Sequence, residues 1–270
     1  MTSYPVLSYA DAVAFLVAAI RARIAVLLVG SPGIGKTALV RHVARVVGLP
    51  PHELIGSTCD PTDVGGIPWV RHGDKGATLE RAPIARIQAC ADAAGLLFLD
   101  ELSCAPPTVQ AALLRLVLDY AAGDVALHPD SRIVAACNPV EQAPGGFELS
   151  SPLVGRLTIA TLAPSLDEVR AFFRGDGART VEAYQPTPYD AATSAQGYAR
   201  LARDFAATSE VEPSLIVLDP PAASVTSGEP WGAPRSWERG LRGMSQAIVS
   251  SASVQEQAQE PCLHRRRRAG

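Results

Sequence analysis

The sequence predicts an α/β fold, a parallel five-stranded sheet with helices on both faces, followed by a small helical domain. Three observations predict it. Short apolar runs rich in Val, Ile and Leu alternate with stretches of helical length, the pattern of strands buried on both sides. The first run ends in Gly30-Ser-Pro-Gly-Ile-Gly-Lys36-Thr37, a glycine-rich turn placed between a strand and a helix. A later run, Leu96-Leu-Phe-Leu, ends in the paired acids Asp100-Glu101.

In chain order, Ser8 is the expected N-cap for a helix from about Tyr9 to Arg23. Ile24 to Val29 reads as a buried strand, and a helix from Thr37 to Val47 is stopped by Gly48 and Pro50. Glu53 to Thr58 reads as the second strand. Asp60 to Ala82, rich in Gly, Pro and charge, reads as a long loop or a hairpin insert. Pro83 opens another helix, Leu96 to Leu99 is the third strand, and Pro106 or Pro107 opens a helix reaching Ala122. Arg132 to Cys137 is the fourth strand, ending at Asn138-Pro139, and Leu157 to Leu162 is the last. After Pro164 the pattern changes to helical segments near 166–174, 189–207 and 235–250, separated by Pro-, Gly- and Ser-rich loops. The expected division is a core of residues 1–164, a helical domain of 165–250, and a tail of 251–270 that ends in Arg265–Arg268 and is expected to be disordered.

Composition narrows the function. With 47% hydrophobic and 19% charged residues among 270, the chain can bury a core. A net charge of −3 argues against an overall basic surface for nucleic acid or membrane. The five cysteines, Cys59, Cys90, Cys104, Cys137 and Cys262, are odd in number and none lies at CxxC spacing. No disulfide framework or zinc site is expected, and a reducing cytoplasm fits. The apolar stretch Ala12–Ile20 lies between Asp11 and Arg21 and is far shorter than the roughly 20 residues a membrane span needs, so a soluble protein is expected. No basic leader precedes it. No two histidines sit at i,i+4, and His52 and His128 read as surface loop positions. Cys262 and His264 read as part of the tail rather than as a metal or nucleic-acid site.

The chemistry concentrates in two motifs. Gly30, Gly35, Lys36 and Thr37 match GxxxxGK[ST], so Gly30, Ser31, Pro32, Gly33, Ile34, Gly35, Lys36, Thr37 and Ala38 are the predicted phosphate-binding residues. Glycines let backbone N–H groups turn inward, and the following helix presents an N-terminus that favours anions. Lys36 places a cation on the β- and γ-phosphates, and the Thr37 hydroxyl is suited to Mg²⁺. Asp100, at an apolar strand end, would hold the Mg²⁺ shell, and Glu101 would polarise the attacking water. Alone, the acid pair reads equally as a helix N-cap; beside a phosphate loop it reads as hydrolytic.

Four stretches carry a family resemblance: Asp60-Pro-Thr-Asp63-Val-Gly65-Gly66, the run from Asp100 to Leu114, Ala135-Ala-Cys-Asn138-Pro139, and Ala233-Pro234-Arg235-Ser236-Trp237-Glu238. With the phosphate loop, they make residues 5 to 250 resemble AAA+ ATPases, most nearly the MoxR branch and its dynein-related cousins. The resemblance implies ATP with Mg²⁺, hydrolysis, and a helical lid over 165–250. It implies that Asn138 is the sensor 1 residue orienting the water, Arg156 an arginine finger acting on a neighbouring subunit, and Arg235 the sensor 2 residue coupling the lid to the γ-phosphate. The family often has Asp-Arg-Phe where this chain has Gly155-Arg156-Leu157. Lys36, Glu101, Asn138, Arg156 and Arg235 are then the catalytic set.

The resemblance also implies a ring homo-oligomer, expected to be a hexamer, that remodels a protein substrate or works with an adaptor carrying a von Willebrand factor A domain. The insert would face the ring's pore, with Trp69, Val70, Arg71 and His72 touching substrate. It reads equally as a solvated hairpin with Trp69 tucked on the core. A second functional reading, a nucleic-acid-directed motor of restriction or replication-loading type, uses the same core and would rely on Arg71, His72 and Lys75. A non-hydrolysing switch is disfavoured by the intact Lys36, Asp100, Glu101 and Asn138.

Overall fold

The computed structural model describes residues 4–174 except Lys75 and Pro144, together with Gln196, Ala199, Arg200, Leu201 and Arg203. Arg235, most of the expected lid and the tail lie outside the described residues.

Strand β1 (Val6–Leu7) leads into helix α1 (Tyr9–Arg21), where Ser8 Oγ accepts the Asp11 N–H at 3.2 Å as the predicted N-cap. Strand β2 (Val26–Val29) is followed by α2 (Lys36–Val47), which Gly48 ends in the left-handed conformation. Then come β3 (Pro51–Ile55), the short α3 (Pro61–Gly65), a hairpin of β4 (Ile67–Gly73) and β5 (Gly76–Ala82), and α4 (Ala85–Asp92). Strand β6 (Leu96–Asp100) precedes α5 (Pro107–Asp119), a small ribbon of β7 (Ala121–Ala122) and β8 (Val125–Ala126), and β9 (Arg132–Cys137). Helix α6 (Ser151–Val154), β10 (Thr158–Leu162) and α7 (Leu166–Phe173) complete the described chain.

The main sheet runs β1-β10-β2-β9-β6-β3, each pairing parallel. The five predicted strands are all present. The sixth, β1, adds at the edge by pairing Val6 with Thr161 and Leu7 with Leu162. Two residues are too few to show a period-two pattern, so nothing in the sequence marked it. His52 lies within β3 rather than in a loop.

Both faces of the sheet are covered, which is why its strands read as unbroken apolar runs. Val26, Leu28, Phe98, Val134 and Ala160 pack with Leu16 of α1 and Leu39 and Val43 of α2. The alternate residues Leu27, Leu97, Leu99, Ile133 and Ala135 pack with Ile87, Leu113, Leu116 and Leu153 on the other side. The hairpin contributes nothing to either layer. Trp69 is 46% and Leu79 66% exposed, so Trp69 is not tucked on the core. Among the described residues, no helix is long and apolar enough to cross a membrane.

Candidate active site

From β2 the chain crosses to β3 on one side of the sheet, and from β9 it crosses back over β2 to β10 on the other. The C-terminal end of β2 therefore opens onto the crevice where parallel sheets hold ligands. The loop from Gly30 to Gly35 sits there, joining β2 to α2. Gly35 has φ 92°, and a Cβ at that position would stand 3.0 Å from the Tyr9 hydroxyl oxygen. Both the backbone conformation and the space demand glycine.

Strand register delivers the next group. Val29 of β2 lies opposite Cys137 of β9, so Asn138 emerges beside Gly30. Lys36, only 8% exposed, spends its three ammonium hydrogens on the Gly30 carbonyl (2.7 Å), the Ser31 carbonyl (3.0 Å) and Asn138 Oδ1 (2.7 Å). Burial lowers its pKa, while the nearby Cys137 and Asp100 oppose the shift. A bound phosphate would take over one or more of these donors, so Asn138 and the phosphate share Lys36.

Strand β6 brings the acids. Thr37 Oγ1 donates to Asp100 Oδ2 at 2.7 Å, and Asp100 Oδ1 accepts the Glu101 N–H at 2.9 Å. A hydroxyl and a carboxylate, both hard oxygen donors, are thus paired at the foot of the loop, a set that fits Mg²⁺. Glu101 has φ 52° and ψ 40°, a left-handed conformation uncommon for a non-glycine residue. Its carboxylate accepts the Ser57 hydroxyl at 2.5 Å. The backbones pass so closely here that a Cβ on Gly56 would meet the Glu101 carbonyl oxygen at 2.7 Å.

Lys36, Thr37, Asp100 and Asn138 thus converge, with Glu101 adjacent but drawn toward Ser57. Arg156 does not join them. It follows α6 and precedes β10, at the N-terminal end of the strands, whereas the converging residues follow the C-terminal ends of β2, β6 and β9. The five residues of β10 separate the two ends by about 16 Å. Arg156 donates to the Pro152 carbonyl at 2.7 Å and lines a cleft of about 150 Å³ with Arg23 and Tyr120. Sequence reasoning missed Ser57 and Tyr9. A serine just after a strand and a tyrosine opening a helix carry no motif, and only the topology brings them to the site.

Residues 25–157 match the family model described as an AAA domain of the dynein-related subfamily, a span that includes every converging residue. A crystal structure of a candidate ATPase from Cytophaga hutchinsonii is similar in fold, with a TM-score of 0.50 at 19% identity over 94% of this chain and 81% of that one. No curated protein matches the chain. The sheet order and the phosphate loop at its centre agree with the matched span: across residues 25–157 the chain is similar to an AAA domain of the dynein-related subfamily.

Proposed function

We propose that this chain is an ATPase that binds ATP with Mg²⁺ at Gly30–Ala38, hydrolyses it, and works as a ring of identical copies to remodel a protein partner in the manner of MoxR-like proteins. The observation that carries the reading is the convergence of two pairs, Lys36 with Asn138 and Thr37 with Asp100, from three neighbouring parallel strands and the loop between them.

ATP supplies the phosphoryl group that water accepts; the chain supplies placement and charge. Backbone N–H groups of the loop and the start of α2 cradle the phosphates. Lys36 neutralises their charge, and Asn138, holding both Lys36 and the space beside it, orients the water. Thr37 and Asp100 offer two oxygens to the cation. Among the described residues no group of three or more His, Cys, Asp or Glu is placed to hold a metal, so phosphate oxygens and water would complete the shell. Glu101 accepts the proton of the attacking water once its carboxylate leaves Ser57.

The ring rests on Arg156. Its position at the far end of the sheet rules it out for its own chain's phosphates and suits it to those of a neighbour, where it would stabilise transition-state charge. Residues 1–164 then form the catalytic core and 165–250 the lid, with Arg235 reporting lid position. The exposed hairpin with Trp69, Val70, Arg71 and His72 suits contact with a protein threaded through the ring, and an adaptor with a von Willebrand factor A domain suits the branch.

The test is phosphate release from ATP by the purified chain over a range of concentrations. Turnover per chain that rises with concentration and disappears in Lys36→Ala supports the reading. No turnover at any concentration overturns the hydrolase, and turnover independent of concentration in a monomeric protein overturns the ring. A protein captured by Glu101→Gln with ATP and released on ADP exchange would identify the partner; stimulation by DNA that fades steeply with salt would instead favour a nucleic-acid motor.

A further inference from the structure

One carboxylate, that of Glu168, caps two helices. Its Oε2 accepts the Ser165 N–H at 2.8 Å while Ser165 Oγ accepts the Glu168 N–H at 3.2 Å, a reciprocal capping box for α7. Its Oε1 accepts the N–H groups of Tyr9 (3.0 Å) and Ala10 (3.3 Å), the first two residues of α1. Ser8 already serves Asp11 at that terminus, so Glu168 satisfies donors that the local cap leaves over. A negative charge also suits the positive end of the α1 dipole.

Tyr9 carries the connection onward. Its hydroxyl donates to the Gly35 carbonyl at 2.9 Å, and the same carbonyl accepts the Leu39 N–H at 2.9 Å as the first bond of α2. That carbonyl points along α2. The planar trans peptide makes the Lys36 N–H point the opposite way, back into the phosphate loop. Holding the Gly35 carbonyl therefore holds the orientation of a phosphate-facing N–H. Burial first, and the Glu168 charge second, raise the Tyr9 pKa, so the phenol keeps its donor hydrogen at neutral pH.

We propose that Glu168 and Tyr9 form a relay between α7 and the phosphate loop, with Tyr9 as the positioning residue for the Gly35–Lys36 peptide and Glu168 as the tie to the chain beyond the sheet. A movement of α7 would withdraw Glu168 from α1, release Tyr9 and loosen the loop; a ligand that orders the loop would favour the docked α7. The relay's effect on ATP rests on the function proposed above, but its mechanical part does not.

Two measurements test it. Amide hydrogen exchange on the full chain without nucleotide reads the linkage alone. Glu168→Ala is expected to raise exchange at Tyr9 and Ala10 and also within residues 33–37, and Tyr9→Phe to raise it within 33–37. A rise confined to the helix ends in Glu168→Ala, with the loop unchanged, overturns the relay. Equilibrium binding of the β,γ-imido analogue of ATP with Mg²⁺ reads the consequence. Each single variant is expected to weaken affinity about three- to tenfold, the range of one lost hydrogen bond. The double variant should bind no more weakly than the weaker single one, and Glu168→Gln, which keeps an acceptor oxygen, should recover part of the loss. Effects that multiply, or that are absent in both singles, overturn the relay. A wild-type chain that does not bind the analogue overturns the nucleotide reading, and the exchange result then still decides the relay.

Discussion

Ser57 holds Glu101. Its hydroxyl donates to the Glu101 carboxylate at 2.5 Å from the segment after β3, the edge strand on the side of β6 away from the phosphate loop. The contact ties the proposed base to a residue outside the converging set, and an exposed hydrogen bond stabilises that arrangement by about 0.5–1.5 kcal/mol. Ser57→Ala removes the restraint without touching the loop. Basal ATP turnover is expected to rise several-fold, roughly up to tenfold, with unchanged nucleotide affinity. Steady-state phosphate release checks it, and a fall in turnover would mean that Ser57 orients Glu101 for the reaction instead.

Asn138 shares Lys36 with the loop carbonyls, so its loss acts on placement more than on binding. Asn138→Ala is expected to lower kcat about a hundredfold, the scale of a misplaced reacting group, while KM for ATP changes only slightly. Initial-rate kinetics separate the two. A large rise in KM with kcat intact would make Asn138 a ground-state binding residue.

Arg156 sits at the opposite end of the strands from Lys36, which forbids help within one chain. Arg156→Ala alone should lose turnover by about a thousandfold or more while binding ATP normally. Mixed with Lys36→Ala, which is dead in its own site but keeps Arg156, the pair should regain a measurable share of activity because some interfaces join an intact loop to an intact arginine. Absence of any recovery in co-assembled mixtures would remove Arg156 from the neighbour's site.

Burial pushes the Cys137 thiol up to about 12 and the Cys90 thiol up to about 11. Both shifts are upward, so the fold retains thiol protons that the unfolded chain releases above about pH 8.5. Their stabilising contribution is complete below that pH and is lost as pH rises through 11 and 12. Thermal unfolding midpoints should therefore fall between pH 8.5 and 11, and iodoacetamide at pH 8 should modify the partly exposed Cys104 well before Cys137. Equal rates at the two positions would mean that burial does not protect Cys137.

What the sequence disclosed, and what it hid, follow from chemistry and topology. Lys36, Thr37, Asp100 and Asn138 were legible because phosphate and cation binding restrict residue type, and because apolar runs mark the strand ends that present them. The two-face burial of the strands was legible for the same reason. Strand β1 was not, since its two residues pair only because β10 lies alongside. Ser57 and Tyr9 have ordinary side chains whose partners are 44 and 26 residues away, and nothing local signals such contacts. Glu168 belongs with them, since its service to α1 depends on packing between residues 159 apart in the chain.

Hydrolysis of ATP at this site turns on Glu101 as the base. The most direct measurement compares nucleotide affinity and single-turnover hydrolysis in the wild-type chain and Glu101→Gln. Equal ATP affinity and a hydrolysis rate lower by about a hundredfold or more are expected in the variant, the usual worth of a positioned base. Hydrolysis by Glu101→Gln at the wild-type rate would contradict that role.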